Sequence, residues 1–268
     1  MSTNTHITSR QNAKIKQVRA LRQRKERQAS GLFLVEGLFH IGTALETGTD
    51  FEYAIYSPEL LGEGFDRELI SELQESDVPL YTTTQDIFTS LMEKEGPQGL
   101  LAVAKQGNHT LDDLPTGNDS CLVALEAPQD PGNLGTVMRT IDGLGAHGLV
   151  ILGGGVDLYH PTAVRAGMGT HFWLPVGRAE LAEFLAWTGS GGVHLYGSSA
   201  KRGEALDEAG RFERPSVLLM GSEREGLSQE ALAACERVLR LSMHGRVTSL
   251  NLAVAAGILL QAVLSQSE

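Results

Sequence analysis

Residues 248–264 read TSLNLAVAAGILLQAVL, the stretch around which the second half of the chain is expected to fold. The residues between 250 and 264 that are not apolar are Asn251, Gly257 and Gln261. Such a pattern predicts a buried helix that is too short to span a bilayer. Thr248 or Ser249 is expected to cap the helix with its hydroxyl group. Asn251 then falls in the first turn, where it either bonds a neighbouring backbone group or lines a ligand site.

The composition bounds the class of protein. The chain has 268 residues, of which 41% are apolar, which is enough for one large domain or two modest ones. Cys121 and Cys235 have no metal-binding or redox spacing, which favours a reducing compartment, the cytoplasm. The polar start has no signal core, no apolar run reaches membrane length, and the histidines have no metal-ligand spacing. We therefore expect no membrane segment and no metal.

Positive charge is concentrated at the N-terminus of an acidic chain. The net charge is −11, yet residues 1–29 hold eight Lys and Arg against one acid, Glu26. A helix is expected over residues 12–29, since Ile15, Val18 and Leu21 form a narrow apolar stripe. The charge asymmetry predicts contact with a polyanion, although a solvated helix face is the alternative. The residues that we predict to contact RNA are Arg10, Lys14, Lys16, Arg19 and Arg22.

Alternating apolar strands and helices predict two α/β domains. We expect the first at residues 1–107 and the second at 120–268, with a linker at 108–119 that mixes Asn, Asp, Pro and Gly. The short apolar strands of the second domain predict a parallel sheet covered on both faces. Within it we expect an extended segment over residues 171–176 and a helix over 178–187.

Three polar clusters each follow a predicted strand of the second domain. They are Asn133-Leu134-Gly135 with Arg139, Gly221-Ser222-Glu223 with Gly226, and Ser249-Leu250-Asn251. Ligands of open parallel sheets bind at the carboxyl ends of the strands, so we expect the three clusters to converge on one crevice. Taken singly, each has a plainer explanation: a helix cap at Asn133, a loop charge at Glu223 and a helix cap at Ser249.

Together these clusters resemble the three motifs of a known enzyme family. The patterns Asn133-x-Gly135-x-x-x-Arg139, Gly221-x-Glu223-x-x-Gly226-Leu227 and Ser249-Leu250-Asn251 are similar to those of the SpoU family. Its members are S-adenosylmethionine-dependent RNA ribose 2′-O-methyltransferases of the SPOUT superfamily. The resemblance covers about residues 120–264. The sequence departs from the usual motifs at Arg224, Ser242 and Thr248, which concerns the details of the cofactor loops.

The N-terminal part resembles the RNA substrate-binding domain of many SpoU members. The matching positions are Ser9-Arg10, Asn12, Lys14-Ile15-Lys16 and Phe33-Leu34-Val35-Glu36-Gly37. The resemblance implies a small α/β domain of the ribosomal-protein type. For the C-terminal domain it implies a parallel sheet with a deep trefoil knot, and a homodimer whose site lies near the interface.

The resemblance also implies roles for the motif residues. Arg139 would act at the ribose as an electrostatic clamp, because a guanidinium stays protonated and is a poor base. Asn133 and Asn251 would position the substrate and the catalytic loop, Glu223 would orient Arg139 or a backbone amide, and Ser249 would support the site. The implied contacts to S-adenosylmethionine are Gly197, Gly221, Leu241, Met243 and Leu250.

The implied activity is 2′-O-methylation of a ribose in structured RNA. Ribosomal RNA of the 23S class is favoured, because relatives that modify tRNA usually lack the N-terminal domain. Three alternatives stay open: methylation of tRNA ribose, methylation of a base nitrogen by the same superfamily, and a non-catalytic RNA- or ribosome-binding factor of the same fold.

Overall fold

The chain forms two compact units in a computed structural model that describes residues 5–93 and 96–266. The first unit comprises Met1–Gly107 and Tyr159–Phe172, and the second comprises Asn108–Leu158 and Trp173–Glu268. The segment Tyr159–Phe172, which the sequence placed in the second domain, is thus grouped with the first unit. No helix among the described residues is long and apolar enough to cross a membrane.

The first unit is built on a five-stranded mixed sheet. Its strand order is β1-β4-β3-β5-β2, with β5 antiparallel to both β2 and β3. The strands are β1 (Thr5–Ile7), β2 (Leu32–Glu36), β3 (Phe51–Tyr56), β4 (Leu80–Thr83) and β5 (Leu100–Lys105). The helices in the same part of the chain are α1 (Ala13–Ala20), α2 (Arg24–Ser30), α3 (Leu38–Glu46), α4 (Phe65–Glu75) and α5 (Gln85–Thr89).

The single helix expected over residues 12–29 is interrupted and forms two helices, α1 and α2. The prediction of one continuous helix was therefore wrong. The predicted apolar stripe of Ile15, Val18 and Leu21 is buried against this sheet, as expected. The break falls between α1 and α2, where the buried guanidinium of Arg27 donates to the carbonyl groups of Leu21 and Arg22, each at 2.8 Å. Carbonyl groups at the end of a helix have no partner within the helix, and Arg27 supplies the missing hydrogen-bond donors.

The second unit is built on a seven-stranded sheet of parallel pairs, which confirms the predicted sheet. The strand order is β10-β12-β9-β11-β6-β7-β8. The strands are β6 (Cys121–Glu126), β7 (Gly148–Leu152), β8 (Val176–Ala179), β9 (His194–Ser198), β10 (Glu204–Ala205), β11 (Ser216–Met220) and β12 (Arg237–Arg240). The helices after β5 are α6 (Pro131–Leu144), α7 (Pro161–Ala166), α8 (Leu181–Gly191), α9 (Gln229–Ala234) and α10 (Leu252–Ser265), of which α7 is grouped with the first unit.

The start of α10 differs from the prediction. Asn251, not Thr248 or Ser249, is the cap: its side-chain oxygen accepts from the backbone amides of Ala253 (2.9 Å) and Val254 (3.4 Å). All three residue types favour a cap, and the sequence does not say at which one the helical backbone begins. Asn251 is therefore exposed at the helix end rather than buried in its first turn.

One face of α10 is not buried in the single chain, contrary to the prediction of burial on nearly every face. Leu259 and Val263 lie in the core, whereas Val254 and Ile258 are 52% and 44% exposed. Val247 and Leu250, which precede the helix, are also exposed, at 63% and 37%. We refer to Val247, Leu250, Val254 and Ile258 as the aliphatic stripe.

The region near residue 175 is shifted relative to the prediction. Residues 171–176 are not one extended segment, since a 3₁₀ turn covers Thr170–Phe172 and β8 begins at Val176. The helix expected over 178–187 is α8, which begins only at Leu181. The reason is the sheet: β8 pairs with β7 from Val176 onward, which holds residues 176–179 extended.

The polar stretch expected as a linker contributes to the second core. Leu111 and Leu114 are buried with residues of the parallel sheet. The backbone carbonyl of Thr110 and the side chain of Leu114 fill the space beside Gly177 in β8, where a Cβ would come within 2.9 Å of Leu114. This stretch is therefore anchored along the edge strand.

Candidate active site

Hydrogen bonds join the three polar clusters at one end of the parallel sheet. Asn133 donates its side-chain amide to Oε1 of Glu223 at 2.8 Å. Its side-chain oxygen accepts from Nδ2 of Asn251 at 2.9 Å. The predicted convergence of Asn133, Glu223 and Asn251 is thereby confirmed, because Asn133 bonds residues that are 90 and 118 positions further along the chain. We call these three residues the amide–carboxylate network.

Each amide in this network uses both of its ends. Asn133 donates to a carboxylate and accepts from Asn251, while the oxygen of Asn251 caps α10. An aspartate at position 133 has no donor when ionised and would face Glu223 with like charge. The network therefore requires amides at 133 and 251, and it ties the first turn of α6 to the first turn of α10.

Glu223 anchors the loop after β6. Its two carboxylate oxygens accept from the backbone amides of Gln129 (3.1 Å) and Asp130 (3.3 Å). Partial burial opposes ionisation of this side chain, but the hydrogen bonds from Asn133 and from the amides of Gln129 and Asp130 outweigh it, so the pKa of Glu223 lies below its ordinary value. The carboxylate is thus held ionised with its acceptor sites occupied by donors from one loop.

The start of α6 is fixed by its own residues as well. Asp130 accepts from the backbone amide of Asn133 at 2.7 Å, and Pro131 occupies the first helical position. Both are favourable choices for a helix start. The position of the Asn133 side chain is consequently set by a capped helix and not by a mobile loop.

A pocket that is open to solvent lies beside the start of α10. Its lining includes three of the five predicted cofactor contacts, Leu241, Met243 and Leu250. The remaining lining residues are Ser198, Ser199, Ala200, Met220, Leu239, Thr248, Ser249, Ala255 and Leu259. The walls are thus largely aliphatic, with hydroxyl groups at Ser198, Ser199, Thr248 and Ser249.

Gly197 and Gly221, the other two predicted contacts, do not line this pocket but adjoin residues that do. A Cβ at Gly197 would come within 2.7 Å of Sγ of Cys235, and one at Gly221 would collide with the backbone of Gly226 and Leu227. Close chain packing therefore accounts for both glycines. Their contact with a cofactor stays a prediction.

Arg139 and Ser249 are not part of the amide–carboxylate network. Arg139 is exposed on α6, and its side chain makes no hydrogen bond or ion pair with any residue that the structure describes. Glu223 orients backbone amides, the second of the two roles expected for it, and does not pair with Arg139. Ser249 precedes α10 and lines the pocket instead of capping the helix.

Glu126 is a site residue that the sequence reasoning missed. Its carboxylate accepts from the backbone amide of Ser228 at 2.8 Å, and the Ser228 hydroxyl in turn caps α9. The available signal was a charged residue directly after the apolar run of β6. Its effect is to tie the end of β6 to the loop that carries Glu223.

Two of the predicted RNA contacts in the first unit are bound to acids of the same unit. Arg10 donates to both carboxylate oxygens of Asp86 at 2.8 Å. Arg22 pairs with Glu36 at 2.6 Å, and both side chains are less than one-fifth exposed. Arg22 therefore has a structural function in this unit, whatever it contacts outside.

The other three predicted RNA contacts form no ion pair with an acid among residues 5–93 and 96–266. The ammonium group of Lys14 lies 3.9 Å from the ring centroid of Tyr53, and Arg19 donates to the hydroxyl of Ser90. Lys16 is exposed and has no side-chain partner within residues 5–93 and 96–266. Lys16 is thus the predicted RNA contact whose side chain is least engaged by other residues of the protein.

Within residues 5–93 and 96–266, no group of three or more His, Cys, Asp and Glu side chains could hold a metal ion.

Comparisons with known proteins agree with this arrangement. Residues 120–261 match the model of the SpoU rRNA Methylase family, and residues 12–102 match that of the MRM3-like substrate binding domain. The chain is 32% identical to the 23S rRNA (uridine(2479)-2′-O)-methyltransferase of Streptomyces viridochromogenes, over 97% of this chain and 92% of that one. It is 31% identical to the 23S rRNA (guanosine(2553)-2′-O)-methyltransferase RlmP of Bacillus subtilis (strain 168), over 94% and 96% of the two chains.

A solved structure is similar over the same extent. The AdoMet-bound rRNA methyltransferase from Sinorhizobium meliloti matches with a TM-score of 0.87 and 30% identity, covering 96% of each chain. The similarity therefore includes both units and is not limited to the motifs. The chain belongs to the SpoU rRNA methylase family.

Proposed function

We propose that this protein transfers a methyl group from S-adenosylmethionine to the 2′-oxygen of a ribose in 23S ribosomal RNA. The observation that carries the proposal is the amide–carboxylate network beside a pocket, with Arg139 on the same helix as Asn133. The relatives that match over nearly the whole chain are named 23S ribosomal RNA 2′-O-methyltransferases, which supports this substrate over tRNA.

The lining of the pocket suits the chemistry of S-adenosylmethionine, because small-molecule sites combine apolar walls with a few polar groups. Leu241, Met243 and Leu250 offer apolar surface to an adenine, and Thr248 and Ser249 offer hydroxyls to polar groups. When bound, the cofactor supplies an electrophilic methyl group on its sulfonium.

The residues of this chain would place and polarise the RNA. The Arg139 guanidinium would hold a phosphate next to the target ribose and stabilise negative charge at the attacking oxygen. It would not take the proton, because a guanidinium is a poor base. The proton would leave to a phosphate oxygen or to water.

The amide–carboxylate network would keep the geometry of the site. Asn133 and Asn251 would hold the first turns of α6 and α10 in fixed relation, and Glu223 would hold the loop at Gln129 and Asp130. Such positioning matters because methyl transfer needs the oxygen in line with the methyl group.

The first unit would bind RNA mainly through phosphate contacts. Lys16, with Lys14 and Arg19 on the same helix, gives α1 a basic surface in a chain of net charge −11. Affinity that depends on such contacts falls with increasing salt. We place the enzyme in the cytoplasm, together with ribosomal RNA.

We further propose that the protein works as a homodimer through the aliphatic stripe. Val254 and Ile258 present apolar surface on α10 that the chain itself does not cover, and subunit contact would bury it. Ile258→Glu is expected to give a monomer in analytical ultracentrifugation, while Ala182→Glu, which adds the same charge at an exposed position of α8, stays dimeric. A dimer that survives Ile258→Glu would contradict this contact.

The deep trefoil knot stays a prediction. A crystal structure would test it, because tracing the backbone from end to end shows whether the chain passes through one of its own loops.

Purified protein, S-adenosylmethionine and unmodified 23S ribosomal RNA test the function directly. The expected product is one nucleotide methylated on its ribose, seen as a nuclease-resistant dinucleotide. Methyl groups found on a base nitrogen would contradict ribose specificity. Binding of RNA without binding of S-adenosylmethionine in calorimetry would instead identify a non-catalytic factor.

A further inference from the structure

Trp173 is an exposed tryptophan whose ring is held in place at the surface of the second unit. Trp173 is one of the large hydrophobic residues that remain exposed, and its exposed fraction is 42%. The indole Nε1–H donates to Oδ1 of Asp142 on α6 at 2.8 Å. A tryptophan offers only this one donor, so the bond fixes the edge of the ring and leaves a face open to solvent.

The same surface of α6 carries Arg139. Residues three apart in a helix are neighbours on one face, about 5–6 Å apart at Cβ, so Arg139 and Asp142 lie side by side. Both are exposed. The carboxylate of Asp142 is engaged by the indole, whereas Arg139 makes no ion pair with the residues that the structure describes. A flat apolar ring and an available guanidinium therefore occupy one surface.

The other tryptophan shows that this exposure is not general. Trp187 on α8 is half-buried and stacks with Phe184, whose ring centroid is 6.2 Å away. The aliphatic stripe, in turn, has no planar group. Trp173 thus differs from Trp187, which packs against another ring of the protein. It also differs from the aliphatic stripe, which we propose for subunit contact.

We infer that Trp173 is a stacking platform for an unpaired base of the RNA substrate, next to the nucleotide whose phosphate Arg139 holds. Proteins that read single-stranded RNA stack bases on aromatic rings and hold the neighbouring phosphates with cations. The paired arrangement of indole and guanidinium supplies both groups. Asp142 holds the Nε1 edge of the ring through its hydrogen bond. This inference rests on the proposed function for the identity of the RNA.

Two variants with one tryptophan each test the stacking directly. Trp187→Phe leaves Trp173 as the sole tryptophan, and Trp173→Phe leaves Trp187. On titration with 23S ribosomal RNA transcribed in vitro, we expect indole fluorescence to be quenched in the Trp187→Phe protein and unchanged in the Trp173→Phe protein. Absence of quenching at Trp173 while the RNA binds would overturn the inference. So would a change that follows protein concentration and not RNA, because it would assign the ring to a subunit contact.

Kinetics give a second and independent readout. Trp173→Ala is expected to raise KM for the RNA about 5- to 150-fold, as expected for loss of one base–aromatic stack, with the affinity for S-adenosylmethionine unchanged. Trp173→Phe, which keeps a ring, should retain most of the affinity. An unchanged KM in Trp173→Ala would contradict the platform. Quenching needs no methyl transfer, so a protein that quenches without methylating would refute the proposed function and leave the stacking inference standing.

Discussion

The amide–carboxylate network and the basic N-terminal helices were both selected from polar residues in the sequence, yet they turned out differently. In the network, side chains from three separate strand ends bond one another. In the basic segment around α1, cations expected to meet RNA are partly engaged by the protein: Arg10, before the helix, pairs with Asp86, and Arg22, after it, pairs with Glu36. The reason is that the topology of a parallel sheet brings the ends of its strands together, which a sequence pattern predicts. The pattern of a surface helix does not predict which groups its charged side chains contact.

The largest effect should come from the motif residue that lies outside the network. Arg139→Ala is expected to lower the rate of methyl transfer about 10²- to 10³-fold, because a preorganised charge at the reacting oxygen is lost. Binding of S-adenosylmethionine, measured by calorimetry, should not change. Thr136→Ala, on the same exposed face of α6, is the control and should keep the normal rate. Near-normal turnover of Arg139→Ala would refute its assigned role.

A smaller effect, on stability, should follow from breaking the network itself. Glu223→Ala removes the acceptor of two backbone amides and of the Asn133 side chain, and we expect the free energy of unfolding to fall by roughly 2–3 kcal/mol. Urea denaturation measures it. Glu225→Ala, two residues further in the same loop, is the matched control. Equal stability of the two variants would show that the network does not stabilise this loop.

The network should also respond to acid in a defined direction. Because the pKa of Glu223 is lower in the folded protein than its ordinary value of 4.5, its contribution is complete above about pH 4.5 and is lost as pH falls through the lowered value. The stability difference between the wild-type protein and Glu223→Gln should therefore shrink when urea titrations are repeated at pH values falling from 7 toward 3. A difference that stays constant over this range would contradict the assigned ionisation.

The smallest effects should separate two residues that looked alike in the sequence. Arg22→Ala is expected to destabilise the first unit by about 1–2 kcal/mol, since it removes the nearer of the two cations beside Glu36 and leaves only Arg165, at 3.8 Å. Lys16→Ala should leave stability unchanged, weaken RNA binding and reduce the slope of log affinity against log salt by about 1. Thermal unfolding and filter binding at several salt concentrations measure the two. If Arg22→Ala unfolds like the wild-type protein, the contrast between structural and RNA-binding cations fails.

The sequence predicted the parallel sheet and the meeting of Asn133, Glu223 and Asn251, because buried strands and their carboxyl ends leave clear patterns. It did not predict which group caps α10, since Thr248, Ser249 and Asn251 are all suitable caps in one short stretch. Nor could it separate the exposed Ile258 from the buried Leu259. The exposed and the buried positions of α10 carry the same types of aliphatic residue, so composition does not distinguish them.

The most direct test of the central claim is mass spectrometry of ribosomal RNA from cells that lack this gene. The amide–carboxylate network and Arg139 are expected to serve one ribose-methylated nucleotide in 23S ribosomal RNA. That modification should be absent from the deletion strain, return with the wild-type gene and stay absent with Arg139→Ala. Ribosomal RNA that keeps all its ribose methyl groups without the gene, or regains the modification with Arg139→Ala, would contradict the account.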